Sequence, residues 1–147
     1  MELTDQQRAF LAKAAGAAMI TLKRDGTPHA VRVGIALIDG KIWSSGVPGR
    51  LRTRFVRRDP RCAFFVWGQG HGFLTLEGRV RVLEGPEAPD QSVRLFEAMQ
   101  ARMEKAAGQL FWQGKPLTIE QFRQAMVDEQ RLIYELEIER GYGMVGV

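Results

Sequence analysis

Two Asp-Gly turns, Asp25-Gly26 and Asp39-Gly40, separate alternating apolar segments and constrain this fold more than any other feature of the chain. Asp-Gly suits a tight hairpin, whose central residues need a left-handed backbone that few other pairs adopt at low cost. The turns divide the first part of the chain into three strands, Ala17 to Leu22, His29 to Ile38 and Lys41 to Ser45, which reads as an antiparallel meander. Arg61 to Trp67 and Phe73 to Leu83 extend the block to five, with Gly78 a candidate bulge. Arg131 to Glu139 alternates as a sixth. Thr4 and Gln7 form a capping-box pattern for a first helix that Gly16 ends. Val47 to Arg58 is a short helix closed by Asp59-Pro60. Two further helices are expected, one from the Gly85–Asp90 turn to about Ala107 and one from Leu117-Thr118 to Val127. A doubly wound fold would alternate strand and helix throughout. This order predicts a mainly β fold, a six-stranded antiparallel barrel with peripheral helices, with residues 1–147 forming a single domain.

Composition narrows the chemistry. The sole cysteine, Cys62, excludes an internal disulfide and a cysteine-based zinc site, and its apolar neighbours place it in a buried strand. His29 and His71 are the only histidines, so no multi-histidine metal site is expected. No apolar run approaches the roughly 20 residues that span a bilayer. The stretch Ala14 to Ile20 is too short and follows an acidic, polar start, so a cytoplasmic protein without a membrane partner is expected. The net charge of +4 admits nucleic acid as a partner, but its excess is local and no nucleic-acid-binding motif accompanies it. Nucleophile–base constellations, Walker-type glycines and dinucleotide fingerprints are all missing, so any catalysis would rely on a cofactor.

The local excess is arginine. Arg50, Arg52, Arg54, Arg57, Arg58 and Arg61 crowd one short helix and its exit. Guanidinium forks donate in pairs and stay charged, which suits phosphate and carboxylate. Ser44-Ser45-Gly46 ends the preceding strand, so hydroxyls and free backbone N–H groups meet the first arginines at a helix start. Ser45 could serve the ligand, cap the helix, or both. Arg50 and Arg52, in the first turn, are the better ligand candidates. Arg57 and Arg58, near the end, suit pairing with acids or with the negative helix terminus. On the strand His29 to Ile38, His29, Val31, Val33, Ile35 and Leu37 form a bulky face. Ala30, Arg32, Gly34, Ala36 and Ile38 form a face small enough, apart from Arg32, for a flat ring or a second subunit to approach.

Three segments carry a resemblance. Thr21 to Gly34 contains the T-x-x-x-D-G-x-P-H opening of the pyridoxamine-phosphate-oxidase-like, FMN-binding split β-barrels. Arg50 to Arg61 is similar to their phosphate-binding R-x-K-x-x-N-x-x-x-D-P-R segment, and Phe73 to Val80 to the strand that follows. Within that family the chain looks like the B group of flavin/deazaflavin oxidoreductases. The resemblance implies a homodimer that binds coenzyme F420, or alternatively FMN, in an interface groove and passes hydride to a small organic acceptor. It implies that Arg50, Arg52 and Thr53 hold the cofactor phosphate. Ser45 and Gly46 would lie beside the ring, while His29, Val31 and Arg32 would line the groove. His71 and Phe73 occupy places where an aromatic approaches the cofactor, from the other subunit. Arg54, Arg57 and Arg32 could meet the polyglutamate tail of F420, which favours deazaflavin over FMN. Two positions depart from the pattern: Arg52 replaces the usual lysine and Phe55 the usual asparagine. The chain also lacks the C-terminal arginine-rich motif of true pyridoxamine phosphate oxidases, which argues against pyridoxal phosphate synthesis. A non-catalytic flavin or deazaflavin carrier on the same fold would share every one of these features.

Overall fold

A computed structural model describes residues 1–146. The Thr4 hydroxyl caps helix α1 (Asp5–Ala12), and Gln7 reciprocates on the Thr4 N–H, so the expected capping box is present. Gly16 does not end this helix; it opens strand β1 (Gly16–Leu22). β2 (Pro28–Val33), β3 (Ala36–Ile38) and β4 (Lys41–Gly46) follow. Next come α2 (Leu51–Arg58), β5 (Arg61–Trp67), β6 (Phe73–Leu83) and α3 (Ala88–Met99). β7 (Gln109–Trp112), β8 (Lys115–Thr118), α4 (Ile119–Asp128) and β9 (Leu132–Met144) complete the described chain.

The main sheet has seven antiparallel strands in the order β2-β1-β5-β6-β9-β4-β3, and β7 and β8 form a separate hairpin. The six-stranded barrel is therefore corrected to an open seven-stranded sheet. The cause lies at Gly34-Ile35, which breaks the expected strand from His29 to Ile38. β2 pairs with β1 at one edge, and β3 pairs with β4 at the other. The meander thus fails, because β2 and β4 are not neighbours. Val33 and Ala36 are only three residues apart, a span of at most about 10 Å. The sheet must curl until its edges nearly meet, but among the described residues no ladder joins them.

The break also divides the small strand face. Ala30, Arg32 and Gly34 are exposed, whereas Ile38 is buried beneath the helical lobe with Ala36 packed beside it. Val31, Val33, Ile35 and Leu37 pack against the inner core of the curl, built on Met19, Phe64, Leu74, Leu76 and Tyr134. Each fully buried large side chain there contributes about 1.5–3 kcal/mol. The second core joins Trp43 and Ile133 to Leu95, Phe96, Leu110 and Phe122 of the lobe made by α3, β7, β8 and α4.

α3 ends at Met99 rather than near Ala107, and the β7–β8 hairpin fills the connection between the two expected helices, taking Leu117 and Thr118 from the start of the second. Its turn holds Gln113 at φ 53° and Gly114 at φ 79°. Glutamine is an uncommon residue for that conformation, so the turn signal is weak in the sequence. Thr118 caps α4 as expected, and β9 runs five residues beyond Glu139, to Met144. The register of β6 against β9 shifts between Glu77 and Gly78, which places the expected bulge.

Cys62 faces the inner core, and burial pushes its thiol up from 9.0 to about 12. A thiol raised in the folded state keeps its proton where the unfolded chain has lost it. Its contribution to stability is complete below pH 9 and is lost as pH climbs toward 12. Native protein at pH 8 should resist a colorimetric thiol reagent and release one thiol on unfolding in urea. Rapid reaction of the native protein would contradict this placement.

Candidate functional site

The head of α2 is built by strand β4 running into a turn. Ser44 sends its hydroxyl across the open seam to the Gly34 carbonyl at 2.8 Å. This bond ties the end of β2 to the end of β4. Ser45 does not cap the helix. The N-cap is Arg50, which makes no side-chain capping bond, and the Ser45 hydroxyl is buried without a partner. Thr53 is fully buried; its hydroxyl donates to the Val47 carbonyl at 2.7 Å and shares a short hydrogen bond with the Tyr134 hydroxyl. Its hydroxyl therefore pins the turn, with no proton left for a ligand. Gly46 lies directly over the Tyr134 ring, where a Cβ would overlap ring atoms.

Arg52 leans back over this turn. It donates to the Ser45 carbonyl at 3.3 Å, and its guanidinium carbon lies 5.4 Å from the centre of the Tyr134 ring. Its Nε is buried and unpartnered. Burial pulls its pKa below the ordinary arginine value; Tyr134 opposes this, and the neighbouring Arg50 and Arg131 charges add to it more weakly. A half-buried cation with an unused donor is stabilised by an arriving anion.

The six arginines separate into two groups. Arg57 makes a two-pronged pair with Glu84 at 2.6 and 2.9 Å. Arg61 pairs with Asp59 at 2.7 Å, and these hydrogen bonds hold the Asp59 carboxyl at about 2. Arg58 donates to the Leu22 carbonyl at 2.6 Å and covers Phe55. The exit of the helix is thus satisfied, and Arg57 is removed from the candidates for an anionic tail. Arg50, Arg52 and Arg54, at its head, have no carboxylate partner among the described residues.

Of the three expected residues on β2, His29 reaches α2. The His29 ring meets Phe55 edge-on at 5.2 Å, and its Nδ1 is buried without a partner. Thr21, its registered neighbour on β1, also has a buried, unpartnered hydroxyl. Phe55, where the family pattern has asparagine, packs against His29. Val31 packs inward, and Arg32 faces outward with its guanidinium 6.0 Å from the Trp67 ring.

His71 and Phe73 belong to a different surface. His71 is exposed in the loop after Trp67. Phe73 stacks on Phe65 at 5.5 Å, and the Phe65 ring meets Trp67 at a tilt at 6.2 Å. These contacts run along the outer sheet face rather than toward α2. Sequence reasoning missed Tyr134, which supports both Arg52 and Thr53. Its only signal was a tyrosine among aliphatic residues on an alternating strand.

Comparison with known proteins agrees with this architecture. The profile of the pyridoxamine 5'-phosphate oxidase family matches residues 3–144. A conserved hypothetical protein of Mycobacterium tuberculosis, Rv2991, superposes with a TM-score of 0.73 at 21% identity, covering 97% of this chain and 85% of its own. An F420 reductase superposes with a TM-score of 0.67 at 14% identity, covering 95% and 98%. General Stress Protein 26 of Bacillus anthracis gives 0.68 at 10% identity, covering 98% and 95%. At these identities the structures speak for the fold alone, whereas the profile spans nearly the whole chain: it belongs to the pyridoxamine 5'-phosphate oxidase family.

Proposed function

We propose that this chain is an oxidoreductase that binds a phosphate-bearing flavin-type cofactor at the head of α2, coenzyme F420 in preference to FMN. The observation that carries the reading is the coincidence at one turn of three unneutralised arginines with two buried orphan groups, the Ser45 hydroxyl and the Arg52 Nε. Buried polar atoms ordinarily have partners, so orphans beside free cations fit an anionic ligand. Arg52 and the uncapped backbone of α2 would hold the phosphate, and Ser45 would hydrogen-bond the group beside it. Thr53 and Tyr134 would keep that turn rigid. His29 would present its free Nδ1 to the same ligand. When bound, such a cofactor supplies the hydride for an organic acceptor. The chain contributes orientation and exclusion of water.

F420 is preferred to FMN because Arg50 and Arg54 remain exposed and unpaired beyond the phosphate position, suited to a carboxylate-rich tail. One of the structural neighbours is an F420 reductase, which agrees with that choice. Arg50→Ala combined with Arg54→Ala should weaken F420 binding about tenfold or more at low salt and leave FMN affinity nearly unchanged. Equal losses for both cofactors would remove the argument for the tail.

We also propose that the protein works as a homodimer joined through the outer sheet face. Ala18, Phe65, Thr75 and Tyr142 form one registered row across four strands. Phe65, Tyr142 and Met144 are 36%, 52% and 49% exposed, an unusual amount of apolar surface for one sheet face. Light scattering should give twice the chain mass, and Phe65→Glu should halve it. A wild-type monomer at micromolar concentration would contradict the proposal. In such a dimer Phe73 and His71 of one subunit would come within reach of the other's groove.

A further inference from the structure

The open seam of the sheet leads into a cleft of about 850 Å3, outside the phosphate position. Its size lies within the range of small-molecule sites, which combine apolar walls with a few polar groups. Leu11, Ile35, Leu37 and Met99 supply the apolar wall from α1, the seam, β3 and α3. Met99 lies over Gly34, where a Cβ would come within 3.2 Å of its Cε and Sδ. The charged groups at the cleft are Arg8, Arg32 and Arg102, and no aspartate or glutamate lines it. Only Arg8 has an acidic partner, Asp5 at 3.5 Å, and that pair is solvent-exposed and therefore weak. Arg32 and Arg102 have no carboxylate within pairing distance among the described residues. Gly34, whose carbonyl accepts the Ser44 hydroxyl, lines the cleft, so its wall is tied to β4, the strand that runs into the turn before α2.

We propose that this cleft binds an amphipathic organic carboxylate, its apolar body against Leu11, Ile35 and Met99 and its carboxylate at the Arg32–Arg102 rim. A neutral body alone would leave the guanidinium groups without a partner, and a cationic one would be repelled. The seam bond that joins the cleft wall to the strand leading into the phosphate turn makes this ligand the acceptor of the proposed oxidoreductase. That role rests on the functional reading above, whereas the existence of the site does not.

The test uses cofactor-free protein and isothermal titration calorimetry. The probes are decanoate and its charge-inverted counterpart decyltrimethylammonium, both below their micelle concentrations. Decanoate should bind with one equivalent per chain, at least about tenfold more tightly than the cation. Arg102→Glu, at an exposed position, should weaken decanoate about tenfold, and Ala12→Trp should block the cleft and abolish binding. Melting curves establish that each variant is folded, and the rim substitution alone suffices if the bulky one is not. Equal affinity for both head groups, no decanoate binding, or binding indifferent to Arg102→Glu would overturn the proposal. Failure of F420 and FMN to bind, with decanoate still bound, would remove only the acceptor role.

Discussion

Arg52→Ala lowers the affinity for F420 or FMN by about a hundredfold or more, while the ligand-free protein keeps its melting temperature within a few degrees. The two halves of this expectation have one cause. In the ligand-free chain Arg52 is partly desolvated, crowded by Arg50 and Arg131, and left with an orphan Nε. Its compensation is one 3.3 Å bond to the Ser45 carbonyl and its position over Tyr134. Removing it therefore costs the empty protein little. With a phosphate bound, the same guanidinium becomes half of a charge-assisted pair. Truncating one partner of such a desolvated pair costs about 2–5 kcal/mol, equivalent to about thirty-fold to several thousand-fold in affinity. Fluorescence titration and thermal melts on the same preparations separate the two effects. An unchanged affinity would place the anion elsewhere. A collapsed melting temperature would make Arg52 a structural residue instead.

Gly78→Ala should have the largest effect on stability, at least about 3 kcal/mol, and leave little folded protein. Its single added carbon would overlap the Glu137 carbonyl oxygen and come within 2.9 Å of the carbonyl carbon and 3.2 Å of the Glu139 N. These are backbone atoms of β9, which cannot swing aside as a side chain could. Relief requires separating β6 from β9 at the bulge, in the middle of a ladder that pairs Phe73 with Met144 at one end and Leu83 with Ile133 at the other. Gly70→Ala is the matched control, since nothing lies within 4 Å of its added carbon. Urea unfolding of both variants measures the contrast. Similar midpoints for the two would mean that the bulge can relax.

Much of this architecture was legible because it is local. The Thr4–Gln7 and Thr118 caps, β5, β6 and the Gly78 bulge all follow from residues close in sequence. The break at Gly34 was not legible. His29 to Ile38 alternates without interruption, and only the closure of a curled sheet explains why its two halves pair at opposite edges. The sorting of the arginines was hidden for a similar reason. Arg57 meets Glu84 across 27 positions, and Arg58 meets the Leu22 carbonyl across 36. The motif placed Arg52 and Ser45 together, but their orphan atoms emerge only once Tyr134 and Thr53, 81 positions apart, fix the turn beneath them. The aromatic row from Trp67 through Phe65 to Phe73 likewise requires three-dimensional register.

The most direct measurement is a parallel fluorescence titration of the purified wild-type protein with coenzyme F420 and with FMN. The account predicts micromolar or tighter binding of F420, weaker binding of FMN, and loss of both in Arg52→Ala. Binding of neither cofactor, or binding that Arg52→Ala leaves intact, would contradict it.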